Sequence, residues 1–196
     1  MSILAFPTPV LGTEAPSLKT FGKGSYLPPL SDRLWQIEAG VVRTLSINRD
    51  GIPIPLGFWG SSDVVGSSLS QSGIYEMKCL TEVQAKLVNH QDVTAALMRH
   101  IDSSQKMLEI LHERKILQAL LHLLAWLAER FGHRVGSEIW IGIPFTHQEL
   151  AETLGSTRVT ITRLLQRLEQ EGQIRRSARK RIALSPRLVH SFTCRS

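Results

Sequence analysis

Cysteine is almost absent. The 196-residue chain holds only Cys79 and Cys194, far apart in sequence. That excludes a disulfide framework, a zinc ribbon and a four-cysteine iron–sulfur cluster within one chain. Long apolar runs are missing as well. The longest apolar, charge-free stretch, Ile116 to Ala128, is interrupted by Gln118 and His122 and falls short of the ~20 residues a spanning helix needs. The first seven residues, Met-Ser-Ile-Leu-Ala-Phe-Pro, contain no basic side chain. They make a poor signal peptide, so a cytoplasmic protein is expected. Nine prolines and 14 glycines show no collagen-like period. Hydrophobic residues at 42% and charged residues at 20% suit a globular chain rather than a disordered one.

Signatures of catalysis and metal binding are also lacking. His90, His100, His112, His122, His133, His147 and His190 form no His-Glu-x-x-His pair and have no Cys at ligand spacing, which argues against a metal or haem. Glu109 and Glu113 read as a solvated helix face. Ser61, Ser62, Ser67, Ser68 and Ser70 read as a polar loop, without a Gly-x-Ser-x-Gly elbow. No enzyme is indicated.

The charge is present but unevenly placed. The net charge is +6. Arg158 to Ser196 holds ten Lys/Arg against Glu169 and Glu171, a balance of +8, and the preceding residues balance at −2. A basic end on a near-neutral body points to a polyanion, either nucleic acid or an anionic membrane. A membrane-binding helix would carry large apolar residues opposite its charges. Arg175 to Val189 contains no aromatic residue, and its cations fall mainly on a predicted hairpin. DNA is the better partner.

Leu18 to Leu87 reads as β structure. Trp35 to Ile47 alternates as two strands around a turn at Ala39-Gly40. Arg49-Asp50-Gly51 is a second turn. Ile52 to Trp59 follows, with Pro53 and Pro55 marking an edge or irregular strand, and Tyr75 to Val88 forms one or two more. Short strands with Gly turns suggest a small barrel or roll. From Asp92 to Arg114 there is no Pro or Gly, and Leu97, Ile101, Ser104, Leu108 and Leu111 form a heptad seam. It suits either a helix packed on its own domain or a dimer helix. Leu117 to Phe131 reads as a second, buried helix ending at Gly132.

Thr146 to Glu169 carries the function. Thr146 and Glu149 form a capping box. Gly155 supplies a tight turn, and Ser156 or Thr157 caps a second helix running to about Gly172. Ala151, Gly155 and Ile161 stand where a helix-turn-helix needs a small contact, a turn and a branched apolar residue. At 100° per residue, Ile161, Leu164, Leu165 and Leu168 form the buried stripe, with Val159, Arg163 and Gln166 opposite. Arg158 projects from the first turn, and Thr160, Thr162 and Arg167 flank the outer face. Arg158, Val159, Arg163 and Gln166 are the expected base readers, since Arg suits guanine, Gln adenine and a Val methyl thymine. Thr146, His147, Gln148, Ser156, Thr157, Thr160, Thr162 and Arg167 are expected on the DNA backbone. Gln173 to Leu184 reads as a wing, with Ile174 and Ile182-Ala-Leu as strands and Ser177 to Lys180 as tip. Arg175, Arg176, Arg179, Lys180 and Arg181 would neutralise phosphates.

With these motifs in order, the chain resembles the cyclic-AMP receptor protein and fumarate-nitrate regulator family of bacterial transcription factors. Gly155-Ser-Thr-Arg-Val-Thr-Ile-Thr-Arg-Leu-Leu resembles the recognition helix of the cyanobacterial nitrogen-control activator branch. The resemblance implies an α+β fold. A cupin-like β-roll sensor of the cyclic-nucleotide-binding type would span residues 1–91, a dimerisation helix 92–114 and a winged helix-turn-helix 115–196. It implies double-stranded DNA with a palindromic promoter site, a second copy of the chain and RNA polymerase as partners. Val159, where cyclic-AMP-type members carry Glu, implies a half-site closer to GTA than to GTGA.

The resemblance also places an effector pocket near Gly66, Ser67, Tyr75, Lys78 and His100. Ser67 stands where the family's Glu would hold a ribose, and no Arg lies between Gly66 and Leu80, which argues against a cyclic nucleotide. The nitrogen-control branch binds 2-oxoglutarate with arginines of the roll and long helix. Here the segment from Gly66 to Leu80 has none and His100 stands near the helix position, which argues against that ligand too. The fumarate-nitrate branch's N-terminal cysteine cluster is absent. A non-cyclic-AMP effector is the main reading. The alternatives are an effector-independent regulator with a degenerate roll, or a small-molecule sensor whose basic tail binds a protein.

Overall fold

The computed structural model describes residues 17–70, 74–89 and 93–188. Seven strands form the N-terminal half: β1 (Lys19–Phe21), β2 (Leu34–Ala39), β3 (Val42–Ile47), β4 (Pro53–Trp59), β5 (Val64–Val65), β6 (Ile74–Cys79) and β7 (Val83–Val88). They make two antiparallel sheets, ordered β1-β7-β2-β5 and β4-β3-β6. Trp35, Ile37 and Val83 from the first pack against Val42, Trp59 and Met77 from the second. Trp59 is fully buried and satisfies its indole by donating to Thr44 Oγ1 at 2.8 Å.

The turn at Ala39-Gly40 joins two strands that do not pair. β2 pairs with β5 and β7, and β3 with β4 and β6. Alternation sets which face of a strand is buried, but it does not choose the strand's neighbours. Arg49-Asp50-Gly51 does close a hairpin, in which Asn48 Oδ1 accepts from the Asp50 and Ile52 amides. The two prolines of β4 sit on an edge strand, as their missing amides require.

Helix α1 (Thr94–Leu111) buries Ala96, Ser103, Met107 and Ile110, and α2 (Ile116–Phe131) is buried over most of its surface. Gly132 ends α2 without a left-handed turn, at φ −85°. A Cβ there would lie 2.1 Å from the Ala128 carbonyl oxygen, so close approach is what demands glycine. Next comes a hairpin that sequence reading missed, β8 (Gly132–Val135) and β9 (Glu138–Ile141), although Gly136 between alternating residues could have announced it. Helices α3 (His147–Thr153) and α4 (Arg158–Gln170) follow, then strands β10 (Ile174–Arg176) and β11 (Ile182–Leu184). The wing strands add to the new hairpin in a four-stranded sheet, β10-β11-β9-β8.

The largest apolar core runs through α2, α3 and α4 and continues into the roll through Val41, Phe58 and Leu80. Phe58 meets Trp126 and Phe145 edge-on, with centroids 6.3 and 5.5 Å apart. A buried carboxylate adds to this junction. Asp63 accepts from Arg130 of α2 at 2.5 Å and from the Gly60 amide at 2.8 Å, and Arg130 also donates to Ser103 of α1 at 2.6 Å. Among the described residues, no helix is long and apolar enough to cross a membrane.

Candidate nucleic-acid interface

The helix-turn-helix is built by its caps. Thr146 Oγ1 accepts from the Glu149 amide at 3.1 Å, and the Glu149 carboxylate accepts from the Thr146 amide at 2.9 Å. Two free donors at the start of α3 are thereby satisfied. Gly155 turns the chain at φ +58°, a left-handed value that a Cβ would penalise. Thr157, not Ser156, caps α4 by accepting from the Thr160 amide at 3.1 Å. Ile161, Leu165 and Leu168 are buried with Leu150 and Ala151 of α3, and Leu164 is half-buried beside them.

The opposite face of α4 is open. Arg158, Val159, Arg163 and Gln166 are exposed, Val159 to 60%. Among the described residues, Arg158 and Arg163 form no ion pair with a carboxylate. Thr160 lies at the first turn with its hydroxyl 2.9 Å from that of Thr157. Arg167 is exposed but tied to Glu171 at 2.7 Å. Thr162 is not directed outward. Its hydroxyl donates to the Arg158 carbonyl at 2.7 Å and accepts from His147 Nδ1 at 2.8 Å. The flank assigned to it by the helical wheel is occupied by α3.

Between the start of α3, α4 and the wing lies a concavity of about 610 Å³, lined by Thr146, His147, Gln148, Arg158, Lys180 and Arg181 among others. Arg176 forms its floor and grips Glu169 through two nitrogens at 2.9 and 2.5 Å. That grip holds the Glu169 carboxyl below its ordinary range. Burial first, and then Arg176, Arg158 and Lys180, hold the His147 imidazole below its ordinary value. His147 is therefore neutral near pH 7, with its Nδ1 proton on Thr162. Arg175 pairs with Glu138 at 2.8 Å and lies over the Trp140 ring. Two of the five wing cations thus already face a carboxylate of the protein, Arg175 from an exposed position and Arg176 from a partly buried one. Arg179, Lys180 and Arg181 remain at the exposed tip.

The seam of α1 is largely open. Ile101, Leu108 and Leu111 are exposed to 52, 56 and 37%, and Met98, which sequence reading missed, to 60%. Ser104 lies among them, back-bonded to the His100 carbonyl. Leu97 departs from the expected stripe and packs with Leu34, Val64 and Val93.

The expected sensor residues separate. Tyr75 and His100 line a cavity of about 340 Å³ between β4, β6 and α1. The Tyr75 hydroxyl bonds to Thr44 and to the Gly66 backbone, and burial pushes its pKa up to about 12. His100 stacks on Trp59 at 3.7 Å and places Nδ1 3.2 Å from the Val64 carbonyl, and burial lowers its pKa. Ser67 instead donates to the Leu30 carbonyl. Lys78 lies on the other face of β6 and approaches Glu149 of α3 at 3.8 Å, because residues an odd number apart on a strand face opposite ways.

The fold and this surface define a winged helix-turn-helix protein. Residues 114–187 match the Crp-like helix-turn-helix domain. The chain is 37% identical to the regulatory protein CysR of Synechococcus elongatus, over 91% of this chain and 89% of that one. It is 32% identical to the global nitrogen regulator of Synechocystis, over 54% of this chain and 48% of that one. The CRP-family transcriptional regulator TTHB099 of Thermus thermophilus has a similar fold, at TM-score 0.75 and 22% identity over 89% of this chain and 96% of that one. The chain belongs to the CRP/FNR family of DNA-binding transcription regulators.

Proposed function

We propose that this regulator binds a palindromic promoter site as a homodimer and reads it with Arg158, Val159, Arg163 and Gln166. The observation that carries this reading is the open face of α4, where two unpaired arginines flank an exposed Val. Arg can grip guanine O6 and N7, and Val can meet a thymine methyl. Thr146, His147, Gln148, Lys180 and Arg181 hold the flanking phosphates around the neighbouring concavity. Arg179 extends that contact from the wing tip. Met98, Ile101, Leu108 and Leu111 supply the apolar surface for a second α1. Two recognition helices about one DNA turn apart then require a two-fold symmetric site.

The protein acts by binding, not catalysis, in the cytoplasm where promoter and RNA polymerase meet. Its control site is the cavity between the roll and α1, whose occupation repositions the recognition helices. Selection from a random duplex library at ~150 mM salt, which suppresses non-specific phosphate binding, tests the reading. A symmetric consensus is the expected result. Enrichment of an asymmetric site, or of none with or without added small molecules, overturns it.

A further inference from the structure

We propose that the cavity between β4, β6 and α1 takes a neutral, largely apolar small molecule and rejects anions. Its walls include Thr44, Leu56, Leu69, Tyr75, His100 and Met107, and among the described residues no Lys, Arg, Asp or Glu lines it. The sequence from Val64 to Tyr75 contains no charged residue either.

Among the described residues, the nearby cations are engaged elsewhere. Arg43 and Lys78 lie on the far face of the β4-β3-β6 sheet and meet Glu152 and Glu149. Arg130 is held by Asp63, and Arg99 donates to the Ser62 carbonyl. His100 is buried enough to stay neutral, and the Tyr75 hydroxyl is kept protonated. An anion entering here would lose its hydration and meet no opposite charge, and that loss decides against it.

Several polar groups of the walls already have partners. Thr44 Oγ1 accepts from Trp59 Nε1, and the Ser104 hydroxyl donates to the His100 carbonyl. The site therefore offers contact area more than hydrogen bonds, in a volume of about 340 Å³ that suits a compact ring-sized molecule. The inference rests on the dimeric-regulator reading only for its effect on transcription. Ligand binding itself is read without DNA, so the two can fail separately.

The test is calorimetric titration of the full chain with p-cresol and with 4-hydroxybenzoate, which share a ring and differ by methyl against carboxylate. Saturable p-cresol binding, at least about tenfold tighter than that of 4-hydroxybenzoate, is expected. Leu56→Phe, which fills the cavity, weakens p-cresol about tenfold while the thermal transition is retained. Leu56→Lys, which supplies the missing cation, reverses the order of the two probes. Leu69→Phe repeats the filling test should Leu56→Phe not fold. The proposal is overturned by absence of p-cresol binding to the natural chain, by equal or tighter 4-hydroxybenzoate binding, or by filled variants that bind p-cresol unchanged.

Discussion

Arg43 of β3 donates to Glu152 of α3 across 3.2 Å, tying the roll to the first helix of the helix-turn-helix. Arg43 is only 3% exposed, and its Nε and Nη1 have no hydrogen-bond partner among the described residues. Lys78 lies directly opposite Arg43 on β6 and approaches Glu149 at 3.8 Å. Two cations side by side on neighbouring strands repel. The carboxylates of α3, one turn apart, relieve that repulsion only while α3 stays docked.

Glu152→Ala leaves Arg43 buried beside Lys78 with no counter-charge. The expected cost is about 2–3 kcal/mol, at the low end for a broken buried pair because Glu152 keeps some solvent contact. Replacing both partners by Met recovers most of it. Urea denaturation of the single and double variants measures this, and a single-variant loss below ~0.5 kcal/mol would remove the pair from the account.

On DNA, Arg158→Ala and Arg163→Ala each reduce base discrimination by ~1–3 kcal/mol. Lys180→Ala and Arg181→Ala weaken specific and random duplexes alike and lower the salt slope by about one each. Binding isotherms at several salt concentrations separate the two classes. A uniform loss for Arg158→Ala would reassign it to phosphate.

Leu108→Glu places a charge on the open stripe of α1. Monomers are expected in sedimentation velocity. The affinity for a two-fold site falls about a hundredfold, because the second half-site is no longer tethered. A dimer that survives Leu108→Glu and Ile101→Glu together would move the interface elsewhere.

His100 and His147 are both held below the ordinary value of 6.5. As pH falls, the unfolded chain protonates these positions first, so their contribution is full above that value and is lost as pH approaches the folded pKa. The His100→Gln, His147→Gln double variant should therefore show a flatter melting temperature as pH falls below 6.5. An unchanged slope would mean that neither ring is neutral in the folded protein.

Much of the helix-turn-helix was legible in the sequence because its determinants are local. A capping box, a left-handed glycine and a stripe at helical spacing act within about twenty residues. Thr146, Gly155 and Ile161 each do what their position predicts. The edge placement of Pro53 and Pro55 was readable for the same reason. A helical wheel puts Thr162 on the outer flank but does not show that its hydroxyl meets the Arg158 carbonyl and His147. The compensation of Arg175 and Arg176 depends on Glu138 and Glu169, reached across a sheet and from a helix.

The sequence by itself determined the helix-turn-helix and the basic wing. Each follows from residue type at a spacing set by helix or strand geometry. Tertiary structure alone decided that β2 and β3 enter different sheets, that Tyr75 and His100 share a cavity from which Lys78 is excluded, and that Phe58 carries the roll's packing into the DNA-binding half. These depend on which distant surfaces meet. Alternating and helical patterns show that a face will be buried, and the partner is chosen only when the whole chain packs.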